Sequence, residues 1–165
     1  MTVKRAFDPV VDADTRLLVL GSLPGDASLI AGEYYGHPRN GFWRLIGGVI
    51  GVDLAALPYP ERLEALKTGG VGLWDVIASA HRPGSLDAAI RLAETADLNL
   101  LVESLPRLQA IAFNGGTAAR LGRRALQPRP GIAMIDLPSS SPAFTRPLPE
   151  KAAAWAALRP FLRTD

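Results

Sequence analysis

Several short segments of this chain set glycine or proline beside side chains that can do chemistry. Gly21-Ser22-Leu23-Pro24-Gly25 follows an apolar run and reads as a tight strand-to-helix loop. Such loops aim backbone N–H groups at an anion or a carbonyl oxygen. The loop is followed by no Gly-Lys-Ser/Thr and is not G-x-G-x-x-G, so it is neither of the common nucleotide loops. The stretch from Glu33 to Trp43 holds Tyr34, Tyr35, His37, Arg39 and Asn40 among Gly36, Pro38 and Gly41. Aromatic rings on a loop can stack on a planar ligand. In the same stretch Asn40 also suits a helix cap, and Phe42 and Trp43 also suit a core. Asp75 ends an apolar run, where a carboxylate is costly unless it is paired or working. A cap, or a partner for Arg82, is its plainer role. Asn114 precedes Gly115-Gly116 at the end of another apolar run. Ser139, Ser140 and Ser141 lie between prolines and offer hydroxyls suited to phosphates.

Other chemistries are excluded. There is no G-x-S-x-G elbow, no evident pair of glycosidase carboxylates and no acidic cluster for two metals. The chain has no cysteine, which removes disulfides, thiolate catalysis, zinc fingers and iron–sulfur clusters. With only His37 and His81, a His-rich metal site is excluded too. No metal or cofactor is expected.

These segments need a frame. Strands are expected at 16–21, 71–77, 108–113 and 131–137. Helices are expected at 26–32 with Asp26 as cap, 40–50 with Asn40 as cap, 60–68, 86–93, 97–104, 117–126 and 151–162, with a loop at 81–85. The alternation argues for an α/β domain spanning residues 1–165, its mostly parallel sheet covered by helices on both faces. In such folds ligands bind at the carboxyl ends of the strands. The first loop, Asp75, Asn114 and the three serines all fall there.

The 165 residues carry a formal charge of +2, which says little about partners. Its distribution says more: residues 1–80 hold 7 basic and 9 acidic side chains, residues 81–165 hold 11 and 7. Arg120, Arg123, Arg124 and Arg129 lie in an acid-free stretch from Gly116 to Gly131. Arginine is the better phosphate fork, and a solvated surface face is the alternative. No apolar run approaches the roughly 18 residues of a membrane span. The N-terminal residues carry no apolar signal core. A cytoplasmic, monomeric protein with no membrane partner is expected.

Taken in order and spacing, from about residue 16 to 162, these segments resemble the uracil-DNA glycosylase superfamily. The similarity is nearest to its hypoxanthine-DNA (deoxyinosine) glycosylase branch and extends to the G/T(U) mismatch-specific glycosylases. Gly21–Gly25 sits at the superfamily's first motif. Tyr34 to Trp43 looks like the hypoxanthine branch's signature. Gly72-Leu73-Trp74-Asp75, Arg82-Pro83-Gly84-Ser85 and Phe113-Asn114-Gly115 follow the mismatch enzymes. Pro138 to Ala143 matches the second motif.

The resemblance implies a three-layer αβα sandwich around a central four-stranded, mostly parallel sheet. It implies a monofunctional hydrolase that flips a deaminated base, hypoxanthine above all, out of double- or single-stranded DNA. Asn40 and Asp75 are then the catalytic candidates. Ser22, Leu23, Tyr35, Phe42 and Asn114 would surround the base. Arg39, Ser139, Ser140, Ser141 and Phe144 would meet DNA, with Phe144 as the wedge. Leu23 stands where mismatch enzymes place a water-positioning Asn, and Asp75 where relatives read uracil with Asn. The uracil enzymes' second-motif His has no counterpart between Pro138 and Ala143. Uracil or G:T/G:U mismatches are the alternative substrates. A non-catalytic DNA- or nucleotide-binding α/β domain is the competing class. No lysine falls in the site segments, so Schiff-base lyase chemistry is not expected.

Overall fold

A computed structural model describes residues 3–5, 7–81 and 91–163. The first half runs β1 (Val3–Arg5), β2 (Leu17–Gly21), α1 (Asp26–Ala31), α2 (Phe42–Ile50), α3 (Tyr59–Thr68), β3 (Val71–Asp75) and β4 (Ile77–His81). The second runs β5 (Arg91–Thr95), α4 (Leu98–Glu103), β6 (Ala110–Asn114), α5 (Gly116–Ala125), β7 (Ala133–Leu137) and α6 (Leu148–Trp155), which tightens into a 3-10 helix over Ala156–Phe161.

The central sheet is parallel and ordered β3-β2-β6-β7. Its middle strand, Leu17-Leu18-Val19-Leu20, is buried on both faces, as a covered parallel strand must be. Alternation sends Leu17 and Val19 to one side, packed with Phe42, Ile46, Leu66 and Trp155. Leu18 and Leu20 go to the other, with Val102, Phe113, Ala118 and Leu126. Helices α2, α3 and α6 thus form one outer layer, and α4 and α5 the other. The expected three-layer α/β architecture is present.

Helix α5 lies close to the sheet because Gly122 has no side chain. A Cβ there would stand 2.4 Å from Phe113 Cε1 and 2.9 Å from Cδ1. Gly122→Ala is therefore expected to lower stability by about 1–3 kcal/mol through overpacking, despite alanine's better helix propensity. Urea or thermal unfolding checks this.

Several expectations need correction. The strand read at 71–77 stops at Asp75; Val76 turns away and Ile77 opens β4 in a different sheet. That second, antiparallel sheet, β1-β4-β5, was not expected. The helix read at 86–93 is contradicted at 91–93, which belong to β5. The loop expected at 81–85 is contradicted at His81, which ends β4; residues 82–90 lie outside the described residues. The closing helix starts at Leu148 rather than Lys151. Caps also shift by one residue: Gly25 and Gly41 occupy the cap positions expected for Asp26 and Asn40. Among the described residues no helix is long and apolar enough to cross a membrane.

Candidate active site

The parallel register brings the four strand ends level. Gly21 pairs with Asp75, and Asn114 pairs with Leu137, just before the serines. Together with Tyr35, His37, Asn40 and Phe144, these ends line a cavity of about 430 Å³, a normal size for a small-ligand site.

Gly21 marks the floor. A Cβ on it would stand 2.7 Å from Asp75 Oδ1 and 2.9 Å from the Tyr35 hydroxyl. Only a residue without a side chain lets the carboxylate and the phenol converge there. Asp75 is 4% exposed. The backbone behind it is stitched to the first loop, since Val76 N–H donates to Gly21 O (2.8 Å) and Ile77 N–H to Ser22 O (3.0 Å). Burial, and next the Asp75 charge, push the neighbouring Tyr34 phenol far above its ordinary pKa. Ser22 and Leu23 are both buried in the lining, and Leu23 packs on Ile77.

Tyr35 is held in a strained shape, with a φ of +53°, the left-handed region that bulky residues avoid. Several anchors impose it. Gly36 N–H donates to Ser28 Oγ (2.9 Å). Tyr34 N–H donates to the Tyr59 hydroxyl (3.0 Å), and Trp43 Nε1 donates to Tyr34 O (3.2 Å). The Tyr35 ring stacks on Phe42 at 3.9 Å between centroids and 15° between planes. Phe42 itself is fully buried and does not line the cavity. Its expected contact with a base is corrected: Phe42 backs Tyr35, which faces the cavity.

Asn40 lines the cavity at the start of α2. Its Oδ1 accepts the Phe42 N–H (3.0 Å), which fixes which way the amide points. One lone pair of Oδ1 and the Nδ2 hydrogens remain for a ligand or water. His37, to which no role was assigned from sequence, also lines the cavity. Its Nδ1 accepts the Arg39 N–H (3.0 Å), so the neutral ring carries its proton on Nε2. An H-x-R spacing at the head of a helix was the available signal.

Asn114 works as a clamp. Its Oδ1 accepts the Ser140 N–H (2.9 Å), and its Nδ2 donates to Ser140 Oγ (2.9 Å) and to the Tyr35 hydroxyl (3.3 Å). Both amide hydrogens are thus committed, and Asn114 ties the serine loop to the base-facing ring. Ser140 is 3% exposed, so its expected phosphate contact is corrected to a fastening role. Ser140 O also accepts the Gly41 N–H (3.0 Å), joining the loop to Asn40's segment. Ser139 and Ser141 accept N–H groups two residues on, at 3.1 and 3.2 Å, and each keeps a hydroxyl hydrogen to donate.

The loop is held from below by α6. Trp155 Nε1 donates to Pro138 O (2.9 Å), and Lys151 Nζ to Ser141 O (3.1 Å). Lys151 supports the serine loop from outside: it lines a neighbouring cavity and not this one. Arg39 lies with it there. Phe144, 41% exposed, stands on the rim between the two. The Arg-rich stretch is less available than its charge suggested: Arg123 pairs with Asp136 (2.9 Å) and Arg129 with Glu103 (3.2 Å).

A family model of the uracil DNA glycosylase superfamily matches residues 9–159. The Methanosarcina barkeri protein named hypoxanthine DNA glycosylase is 42% identical over 155 residues, covering 93% of this chain and 96% of that protein. A Methanosarcina acetivorans protein of the same name is 40% identical over 156 residues, covering 94% and 98%. The solution NMR structure of a Methanosarcina acetivorans protein, described provisionally as a uracil DNA glycosylase, superposes with a TM-score of 0.85. It is 39% identical, with 97% of this chain and 99% of that one covered. With the family model spanning most of the chain and relatives near two-fifths identical along it, the protein belongs to the uracil DNA glycosylase superfamily.

Proposed function

We propose that this DNA glycosylase removes hypoxanthine from double-stranded DNA by hydrolysing its N-glycosidic bond, and leaves an abasic site. One observation carries the base-reading half of this: Asp75 and Tyr35 meet over the bare Cα of Gly21, at the floor of a cavity that Asn40 also lines. The names of the two Methanosarcina relatives support the substrate.

The target nucleotide leaves the stack at a cost of a few kcal/mol, least for a mispaired base. Phe144, on the rim, fills the gap it leaves. The base lies against Tyr35. An ionised Asp75 offers only acceptors, which suits the N1–H of hypoxanthine; adenine has no such hydrogen. Backbone N–H groups of the 21–25 loop, and the Nε2–H of His37, face the electron-rich edge of the base. As the C1′–N9 bond breaks, its electron pair goes to the base, and these donors stabilise the anion. Asn40 directs a water at C1′; its oxygen bonds to C1′ and its proton ends on the departed base anion. Ser139 and Ser141 hold phosphates.

Duplexes carrying one hypoxanthine, uracil, thymine or xanthine test the reading. Alkali is expected to break the hypoxanthine strand first and most completely after incubation with pure protein. Without alkali the backbone stays intact, and borohydride traps no covalent adduct. Absence of base release from every duplex would sink the proposal; faster release of uracil than of hypoxanthine would overturn its substrate.

A further inference from the structure

Behind the serine loop lies a second cavity of about 320 Å³, lined by Arg39, Arg44, Arg146 and Lys151. Ser140, Pro142 and Phe144 line both this cavity and the base cavity, so they form the wall between them. Its lining carries four cations and no carboxylate. Glu150 reaches Arg146 only at 3.9 Å, between half-exposed side chains. Such a pair neutralises little.

Lys151 is the unusual member. It is 4% exposed, yet its ammonium meets no acid among the described residues. It donates to Ser141 O at 3.1 Å and sits 5.3 Å from the centre of the Phe144 ring. Arg146 lies 5.4 Å from the same ring. Burial, and next the Arg146 charge, pull the lysine's pKa down. The ammonium spends one hydrogen on the loop and has two left. An incoming anion would supply what the protein withholds.

We propose that this second cavity is a phosphodiester clamp, in which Lys151, Arg44 and Arg146 hold a DNA phosphate neighbouring the one bound by Ser139 and Ser141. The inference rests on the DNA-glycosylase reading and names how the strand is gripped beside the flipped nucleotide. The shared wall supplies the path: a strand whose phosphate reaches the serine hydroxyls continues over Pro142 and Phe144 into the cationic cavity. The link from Lys151 to Ser141 O then couples phosphate binding to the loop that Asn114 ties to Tyr35.

Fluorescence anisotropy with an undamaged duplex, across a salt series, tests the clamp without requiring base release. Arg44→Ala and Arg146→Ala are each expected to weaken Kd about tenfold at low salt, the size of one charge-assisted hydrogen bond. Each is expected to lower the slope of log K against log salt by about 0.9. Both side chains are exposed, so folding is not at issue. Lys151→Met should lower the slope equally and also lower Tm; if it does not fold, the two arginines decide. Arg107→Ala is the control, since Arg107 pairs with Asp14 (3.3 Å) just ahead of β6, at the other end of its strand. It should leave the slope as in wild type.

Neutral methylphosphonates placed one at a time beside hypoxanthine then locate the contact. At the clamped phosphate, Arg44→Ala costs nothing further. Unchanged slopes for Arg44→Ala and Arg146→Ala, or a change matched by Arg107→Ala, would overturn the clamp. An Arg44→Ala penalty that persists at every neutral linkage would do the same. Normal hypoxanthine release with unchanged slopes removes the clamp alone. Failure of release with altered slopes removes the glycosylase reading alone.

Discussion

Replacing Asn40 by alanine is expected to slow single-turnover release of hypoxanthine by about a hundredfold or more, while DNA affinity stays within a few-fold. A water held by one amide loses its aim when the amide goes, and misplacement by about 1 Å costs on that order. The amide has a second job, because its Oδ1 also accepts the Phe42 N–H at the head of α2. Losing that bond should cost about 1 kcal/mol of stability. Two variants separate the roles. A serine hydroxyl can accept the same N–H two residues on, so Asn40→Ser should restore the lost stability. It should not restore the rate, because its short hydroxyl cannot present both an amide donor and an acceptor. A rate within threefold of wild type for Asn40→Ala, measured with enzyme in excess, would remove Asn40 from the reaction. Recovery of rate with Asn40→Ser would reduce it to a fastener of the head of α2.

The strand-end loops were legible because their signals are local. Apolar runs stopped by Gly21, Asp75, Asn114 and Pro138 mark strand ends, and alternation with helices fixes a parallel sheet with those ends on one edge. The antiparallel sheet was not legible. Its β1 has three residues, and β4 pairs with β5 through register shifts that break simple alternation. The apolar residues from Leu86 to Ala93 fit a helix as well as a strand, and tertiary pairing decided for strand at 91–93.

Within the site, the sequence could nominate Tyr35 and Phe42 together but not order them. Which ring faces the cavity depends on the left-handed backbone at Tyr35, and that depends on Ser28, Tyr59 and Trp43. The resemblance implies a base contact for Asn114. Its amide is engaged by Ser140, 26 positions later, and no local pattern encodes that. Lys151 lies outside the motif segments, so no local pattern marks it. Helix α6 returns it to the serine loop, a placement set by Trp155 packing in the core under Pro138.

Asp75→Asn is expected to lower hypoxanthine release about ten- to a hundredfold and to raise the ratio of uracil to hypoxanthine release at least about tenfold. The first figure is the worth of a hydrogen bond to a charged acceptor, about 1.5–3 kcal/mol. The second follows from what an amide offers. The carboxylate presents acceptors alone, which matches a base edge whose donor is N1–H. An amide presents one acceptor and one donor, which match the N–H and C=O of either base, and the resemblance places Asn at this position in the relatives that read uracil. The position is too enclosed for water to make up the difference, since Asp75 is buried and one of its oxygens occupies the space over Gly21. The ratio also separates two roles. If Asp75 activated the water instead of reading the base, Asp75→Asn would slow both substrates equally and leave the ratio unchanged. Parallel single-turnover measurements on matched hypoxanthine and uracil duplexes decide, and an unchanged ratio would transfer base recognition from Asp75 to the loop amides.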